Sequence, residues 1–199
     1  MLSPVGTESD DYANRLLTHQ SVWWKRVLPV QAVYQWNIRR HHLGRTLDVG
    51  CGLGRNLVSL PAGSVGVDHN PTSVAHARAQ GLTALTVDEF MGGELARESA
   101  YDSLLFAHVI EHLSPEDARQ MVRSYLPYLR AGGQVFFICP QERGYASDHT
   151  HVTWTDGEAL TRLARETGLV PERPRSFPFP RRVGRIFTYN EFNLVARKP

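Results

Sequence analysis

The most constraining stretch of the chain reads Thr46-Leu47-Asp48-Val49-Gly50-Cys51-Gly52-Leu53-Gly54-Arg55, a short apolar run carrying one acid and then glycine at every second position. A strand that gives way to a glycine turn and a helix start is a βα unit. In open α/β sheets ligands sit beyond the C-terminal ends of such strands. Alternating glycines let the backbone turn tightly and let a ligand come close to it. The spacing is G-x-G-x-G rather than the G-x-G-x-x-G of dinucleotide sites, and no G-x-x-x-x-G-K-[ST] loop is present, which argues against nicotinamide and ATP chemistry.

Downstream, short apolar runs alternate with helical patterns. Residues 46–50, 64–68, 82–87, 103–107 and 134–139 read as strands. Helices are expected to start at 54–60, to run over 71–80 behind Asn70 and Pro71, to open at Ser114-Pro115-Glu116-Asp117 and continue to about Arg130, and to run over 156–168. Buried strands without polar alternation argue for a parallel sheet covered on both faces. Two final strand candidates, 170–177 and 186–197, have no helix between them, so an antiparallel strand is expected at one edge. Before all this, residues 10–42 look like two helices divided at Pro29, with Trp23, Trp24, Tyr34 and Trp36 mostly core and Arg39, Arg40, His41 and His42 favoured by the dipole at the C-terminus of the second.

With 199 residues, the expectation is one domain, 1–199, made of a helical cap over 1–43 and a core over 44–199. A composition of 42% hydrophobic and 21% charged residues excludes a disordered chain. The two cysteines, Cys51 and Cys139, are too few for a zinc ribbon or a disulfide framework. Residues 1–12 are polar and acidic, without the basic and apolar regions of a signal peptide, and no apolar run is long enough for a bilayer, so a cytoplasmic protein with no membrane partner is expected. A net charge of +2 is too mild to imply a nucleic-acid partner.

Two further acids follow the glycine loop at strand ends. Asp68, closing Val65-Gly66-Val67-Asp68, can accept hydrogen bonds from both hydroxyls of a ribose. In Val87-Asp88-Glu89-Phe90, Asp88 can accept from an exocyclic adenine amine and Phe90 can cover the ring. From about Arg45 to the C-terminus this succession, together with Tyr101-Asp102-Ser103-Leu104-Leu105-Phe106, resembles the class I S-adenosylmethionine-dependent methyltransferases. The resemblance implies a Rossmann-like α/β fold, a mostly parallel seven-stranded sheet with one antiparallel strand and helices on both faces. It also implies S-adenosyl-L-methionine as cofactor, its methionine part held by Asp48, Gly50, Gly52 and Gly54, its ribose by Asp68, and its adenine by Asp88 with Glu89 and Phe90.

The acceptor side should follow strands four and five, where four of nine histidines fall in two loops. In His108-Val109-Ile110-Glu111-His112-Leu113 a helical turn would put His108, Glu111 and His112 on one face. Two chemistries fit these residues. A histidine could take the proton of an acceptor hydroxyl at neutral pH. Alternatively, His108, Glu111, His112 and His151 could hold a divalent metal that stabilises the acceptor as an alkoxide. This set is similar to the Glu-x-x-Glu-His plus histidine of the metal-dependent RNA 3′-end ribose methyltransferases, which implies Mg2+. Here, however, His108 replaces a carboxylate, and imidazole-rich sites favour softer ions. Glu-His-Leu also occurs in class I methyltransferases without a metal, where the pair caps a helix or lines the cofactor pocket.

Residues 176–185 carry Phe177 and Phe179 followed by Arg181, Arg182 and Arg185, which suits an acceptor with apolar sugar faces and many hydroxyls, equally stacking on a base, or a packed hairpin with a solvated tip. Together with Trp24-Lys25, Cys139 to Tyr145, His151 and Phe187 to Phe192, this segment resembles short actinobacterial methyltransferases that act on sugars in methylmannose polysaccharide assembly. The resemblance implies a divalent metal, a partly methylated mannoside acceptor and a cytoplasmic enzyme. The other readings are a ribose methyltransferase on RNA ends, a small-molecule methyltransferase of secondary metabolism, and a non-catalytic module that only binds the cofactor.

Overall fold

The computed structural model describes residues 30–199, so the first expected helix, with Trp23 and Trp24, lies outside the described residues. Eight strands form one sheet: β1 (Thr46–Val49), β2 (Val65–Asp68), β3 (Ala84–Thr86), β4 (Tyr101–Ala107), β5 (Leu129–Pro140), β6 (Val170–Pro171), β7 (Arg175–Phe177) and β8 (Glu191–Arg197). Their order is β3-β2-β1-β4-β5-β8-β6, with β7 also on β8. The first five are parallel, and β8 runs antiparallel between β5 and the β6 and β7 pieces. Every residue of β1 and β2 is buried, as expected for strands covered on both faces.

One face of the sheet packs Leu47, Phe106, Val135, Phe137 and Leu194 against Val122 of helix α4 (Pro115–Tyr125) and Leu160 of α6 (Gly157–Glu166). The other carries Leu105, Phe136, Ile138 and Val195 under Ile38 of α1 (Val30–Arg40). Two expected helix starts hold, and Asp156, read as a helix residue, is a cap. Asn70 Oδ1 accepts from the Thr72 and Ser73 amides at the start of α2 (Pro71–Ala79), Ser114 caps α4, and Asp156 caps α6.

The departures have local causes. The helix expected at 54–60 is only a turn of 3-10 helix, Leu57–Ser59, because Pro61 forces Leu60 extended (ψ 155°) before a helix can lengthen. The third strand stops at Thr86, whose side chain accepts from the Glu89 amide while Glu89 reaches back to the Thr86 amide. That capping box starts α3 (Val87–Met91). Pro127 ends α4 early in a 3-10 turn, Leu126–Tyr128. The strand expected over 170–177 is split around Pro171 and Pro174, which lack the amide that pairing needs, so the sheet has eight strands and not seven. Likewise 186–197 pairs only from Glu191, because 181–185 coils into a 3-10 turn. Trp36 is 55% exposed, stacked on Phe177 rather than in the core.

The register of β8 matters most for the site. Pairing Gln134 with Arg197 through to Pro140 with Glu191 places Glu191, the first residue of β8, at the C-terminal end of β5.

Candidate active site

Two carboxylates meet where β1 and β2 end. Burial, and then the neighbouring Asp68, push the Asp48 carboxyl up to about 7, with Arg55 opposing. Its Oδ2 has no hydrogen-bond partner among the described residues. Asp68 accepts from the Gly52 amide at 2.8 Å and the Asn70 amide at 2.9 Å, and the amides of Gly50 and Cys51 both donate to the Val67 carbonyl. The glycine loop is thus stitched to β2. Gly52 (φ +52°) faces open space, whereas Gly54 (φ +83°) is pressed so closely on Leu82 and Ala77 that a Cβ would lie 2.5 Å from Leu82 Cδ1. An orphaned, buried carboxylate oxygen beside an open glycine backbone fits the ammonium end of a methionine moiety. Cys51 is buried and its thiol pushed up by burial, so it fills the loop and is no nucleophile.

The third strand end differs from expectation. Asp88 is exposed in the first turn of α3. Glu89 is engaged by the Thr86 amide at 2.8 Å and by Arg78 at 2.7 Å, so its role is the helix cap rather than adenine. Phe90 is turned inward by that same cap. It is fully buried against Tyr101, Tyr125 and Tyr128, which removes it as a cover for a cofactor ring.

On the acceptor side β4 runs into His108, held in the left-handed region (φ +60°) with its amide donating to the Ile138 carbonyl. Its Nε2 lies 2.9 Å from Glu191 Oε1 and its Nδ1 3.3 Å from Glu111 Oε1. Burial works against a charge on this ring, but Glu111 and Glu191 outweigh it and push His108 up to about 9. An imidazolium donates through both nitrogens and has no lone pair. With both ring nitrogens turned to carboxylates, His108 stands apart from the other three expected residues.

The other three converge. One ligand atom each from Glu111, His112 and His151 lies within 4.8 Å of the others. His112 Nδ1 is 3.2 Å from the Thr150 carbonyl and His151 Nδ1 is 2.7 Å from the Tyr145 carbonyl. A carbonyl only accepts, so each Nδ1 carries a proton, and Nε2 is the nitrogen that bears the lone pair in the neutral ring. Burial lowers His112, which keeps it neutral. Glu111 is 0% exposed, and its Oε1 faces the His108 ring in the 3.3 Å ion pair. Burial would raise it, but the His108 imidazolium holds it below the usual carboxylate range. The amides of Val152 and Thr153 both donate to the Glu111 carbonyl, and Thr153 Oγ1 donates to Leu113, which is how His151 reaches a turn forty residues earlier. Tyr145 stacks on the His151 ring at 5.0 Å. A buried carboxylate with two imidazoles whose Nε2 atoms are free of the backbone is a donor set that fits a divalent cation.

A cavity of about 320 Å³ opens beside this trio, lined by Tyr34 and Asn37 of α1, Arg55 and Asn56 after the glycine loop, and His108, His112, His151 and Glu191. Asp48, Asp68 and Asp88 are not in its lining, and Val109 lies against Gly50, so the cavity is separate from the three acids expected to hold the cofactor. Buried Gln141 frames it, donating to Ser176 Oγ and the Glu191 carbonyl and accepting from Asn190. Arg181 is already committed, bidentate to Glu142 at 2.5 and 2.6 Å and packed over Phe192, so it has the structural role rather than a grip on the acceptor. Sequence reasoning missed Glu191, Tyr34 and Asn56. No local signal marks Glu191, since only the antiparallel register brings it to His108.

Residues 47–135 match the family described as a methyltransferase domain. No curated protein matches the chain. Among solved structures, a SAM-dependent methyltransferase from Archaeoglobus fulgidus superposes with a TM-score of 0.66 at 17% identity, covering 84% of this chain and 94% of that one. The magnesium protoporphyrin IX methyltransferase of Synechocystis PCC 6803, solved with bound SAH, gives 0.66 at 17% identity over 97% and 96%. A SAM-dependent methyltransferase of Thermotoga maritima, described as a possible histamine N-methyltransferase, gives 0.62 at 17% over 88% and 95%. At such identities the likeness establishes the fold, which is the Rossmann-like fold of these methyltransferases. Taken with the family match, it supports a SAM-dependent methyltransferase. Among the described residues no helix is long and apolar enough to cross a membrane.

Proposed function

We propose that the protein transfers a methyl group from S-adenosylmethionine to a saccharide hydroxyl, a partly methylated mannoside by the resemblance in sequence. The observation that carries this reading is the pair of imidazoles, each with Nδ1 turned to a backbone carbonyl, beside a buried carboxylate at the edge of a polar cavity. Bound cofactor supplies an electrophilic methyl on a sulfonium. Asp48 and the glycine loop hold its methionine end, Asp68 its ribose and Asp88 its adenine edge.

A hydroxyl is a poor nucleophile until it sheds its proton. His112 or His151 takes that proton at Nε2 as the oxygen–carbon bond forms and the carbon–sulfur bond breaks, leaving the demethylated cofactor. In the alternative, those Nε2 atoms and Glu111 would hold a divalent cation, which would supply charge to stabilise the alkoxide in place of the base. His108 acts as a positioning residue, its charge keeping Glu111 ionised. Tyr34, Asn37 and Asn56 offer hydrogen bonds to an acceptor with many hydroxyls.

The test is transfer of label from methyl-labelled S-adenosylmethionine to a panel of mannosides. Transfer that is lost in His151→Ala, with binding of the demethylated cofactor intact, supports the reading. Transfer to RNA ends instead, falling steeply with salt, would replace the saccharide with nucleic acid. Cofactor binding without turnover on any acceptor would leave a sensing module.

A further inference from the structure

A second cavity, of about 280 Å³, shares no lining residue with the acceptor cavity. Its walls include Arg40 and His41 at the end of α1, Glu172, Arg173 and Arg175 around the start of β7, and Asn193 of β8. Nothing in the methyltransferase reading uses it.

Its polar groups are unmet. Asn193 is 4% exposed, and neither Oδ1 nor Nδ2 has a hydrogen-bond partner among the described residues. A buried amide left bare on both sides is costly and calls for a partner in the space it faces. His41 Nε2 is likewise unpartnered, on a ring packed 4.2 Å from Phe136. Burial, then the charges of Arg40, Arg175 and His42, hold His41 down at about 4, so it presents a neutral imidazole.

The charges are unbalanced as well. Arg40 uses Nε on Asn37 and lies over Trp36 and Phe177, and its own ionisation is opposed by burial and by Arg175. Among the described residues Arg173 and Arg175 have no carboxylate partner. Glu172, the one carboxylate in the wall, pairs with Arg197 at 3.6 Å. Three arginines therefore line the cavity without a carboxylate partner among the described residues.

We propose that this cavity is a second binding site, for a phosphate group, free or carried as a monoester on a small molecule. Arg40, Arg173 and Arg175 meet the anionic oxygens, as guanidinium forks do. Asn193 Nδ2 donates to one of them. Asn193 Oδ1 needs a donor in return, which the P–OH of a monohydrogen phosphate or a hydroxyl of the esterified molecule supplies and an ionised carboxylate does not. The cofactor and acceptor sites play no part in this assignment.

The experiment is calorimetric titration of the full chain with inorganic phosphate at constant ionic strength, with acetate run in parallel. One saturable phosphate site is expected, tighter than acetate, and weakened roughly tenfold or more in Arg175→Ala, an exposed position whose loss does not threaten folding. Asn193→Asp, which sets a carboxylate where the amide stood, is expected to abolish binding. The proposal is overturned if phosphate gives no saturable heat, if acetate binds as tightly, or if Arg175→Ala binds phosphate like the parent protein.

Discussion

Replacing Asp48 by asparagine separates what the fold needs from what the ligand needs. Folding takes this carboxyl from an ordinary 3.8 to about 7, because it is buried and faces Asp68. That displacement corresponds to a penalty of up to about 4 kcal/mol for holding the charge in the folded, unliganded protein. The folded value lies above the unfolded one, so the penalty is absent below the unfolded value and complete once pH has risen through the folded one. Asp48→Asn cannot ionise. It is therefore expected to match the parent protein near pH 4 and to exceed it by as much as about 4 kcal/mol near pH 8, read by urea denaturation without ligand. The ionised carboxylate is what a cationic methionine end requires, so the same variant should bind the demethylated cofactor more weakly. In the parent protein that affinity should climb as pH rises through about 7. A variant that is less stable near pH 8, yet binds the cofactor normally, would refute the reasoning.

Three other outcomes follow from the same geometry. Glu111→Gln and His151→Ala should each lower methyl transfer by roughly a hundredfold or more while leaving cofactor affinity in place, and a chelator should reproduce the loss if the trio holds a cation. Asn70→Ala removes the side-chain cap on the Thr72 and Ser73 amides and should cost about 1 kcal/mol in denaturant unfolding. Gly54→Ala places a side chain at φ +83° with Leu82 Cδ1 2.5 Å away and should cost about 1–3 kcal/mol by the same assay, more than the cap.

Much of this architecture is legible in the sequence because its signals are local. The glycine turn, the caps at Asn70, Ser114 and Asp156, and the buried runs of β1, β2, β4 and β5 are set by neighbours within a few residues. The capping box Thr86-Val87-Asp88-Glu89 is equally local. Read as a helix start rather than a strand end, it would have turned Phe90 inward and freed Glu89 from any adenine role. The proline breaks at Pro61, Pro171 and Pro174 likewise announce a shortened crossover and a split strand.

What the sequence does not carry is the division of labour among the histidines. His108, Glu111, His112 and His151 look equivalent in composition, yet Glu191, 83 residues beyond His108, turns that imidazole into a charged clamp. The tautomers of His112 and His151 depend on the carbonyls of Thr150 and Tyr145, which are fixed only once the 145–153 loop is hydrogen-bonded to the Glu111 turn.

In the proposed complex the cofactor lies across the ends of β1 and β2 with its methyl aimed at Glu111, His112 and His151. A crystal structure with S-adenosylhomocysteine tests it most directly. The ammonium is expected at Asp48, the ribose at Asp68 and the sulfur facing the Nε2 atoms of His112 and His151. A ligand bound away from the glycine loop, or a sulfur turned from those imidazoles, would contradict it.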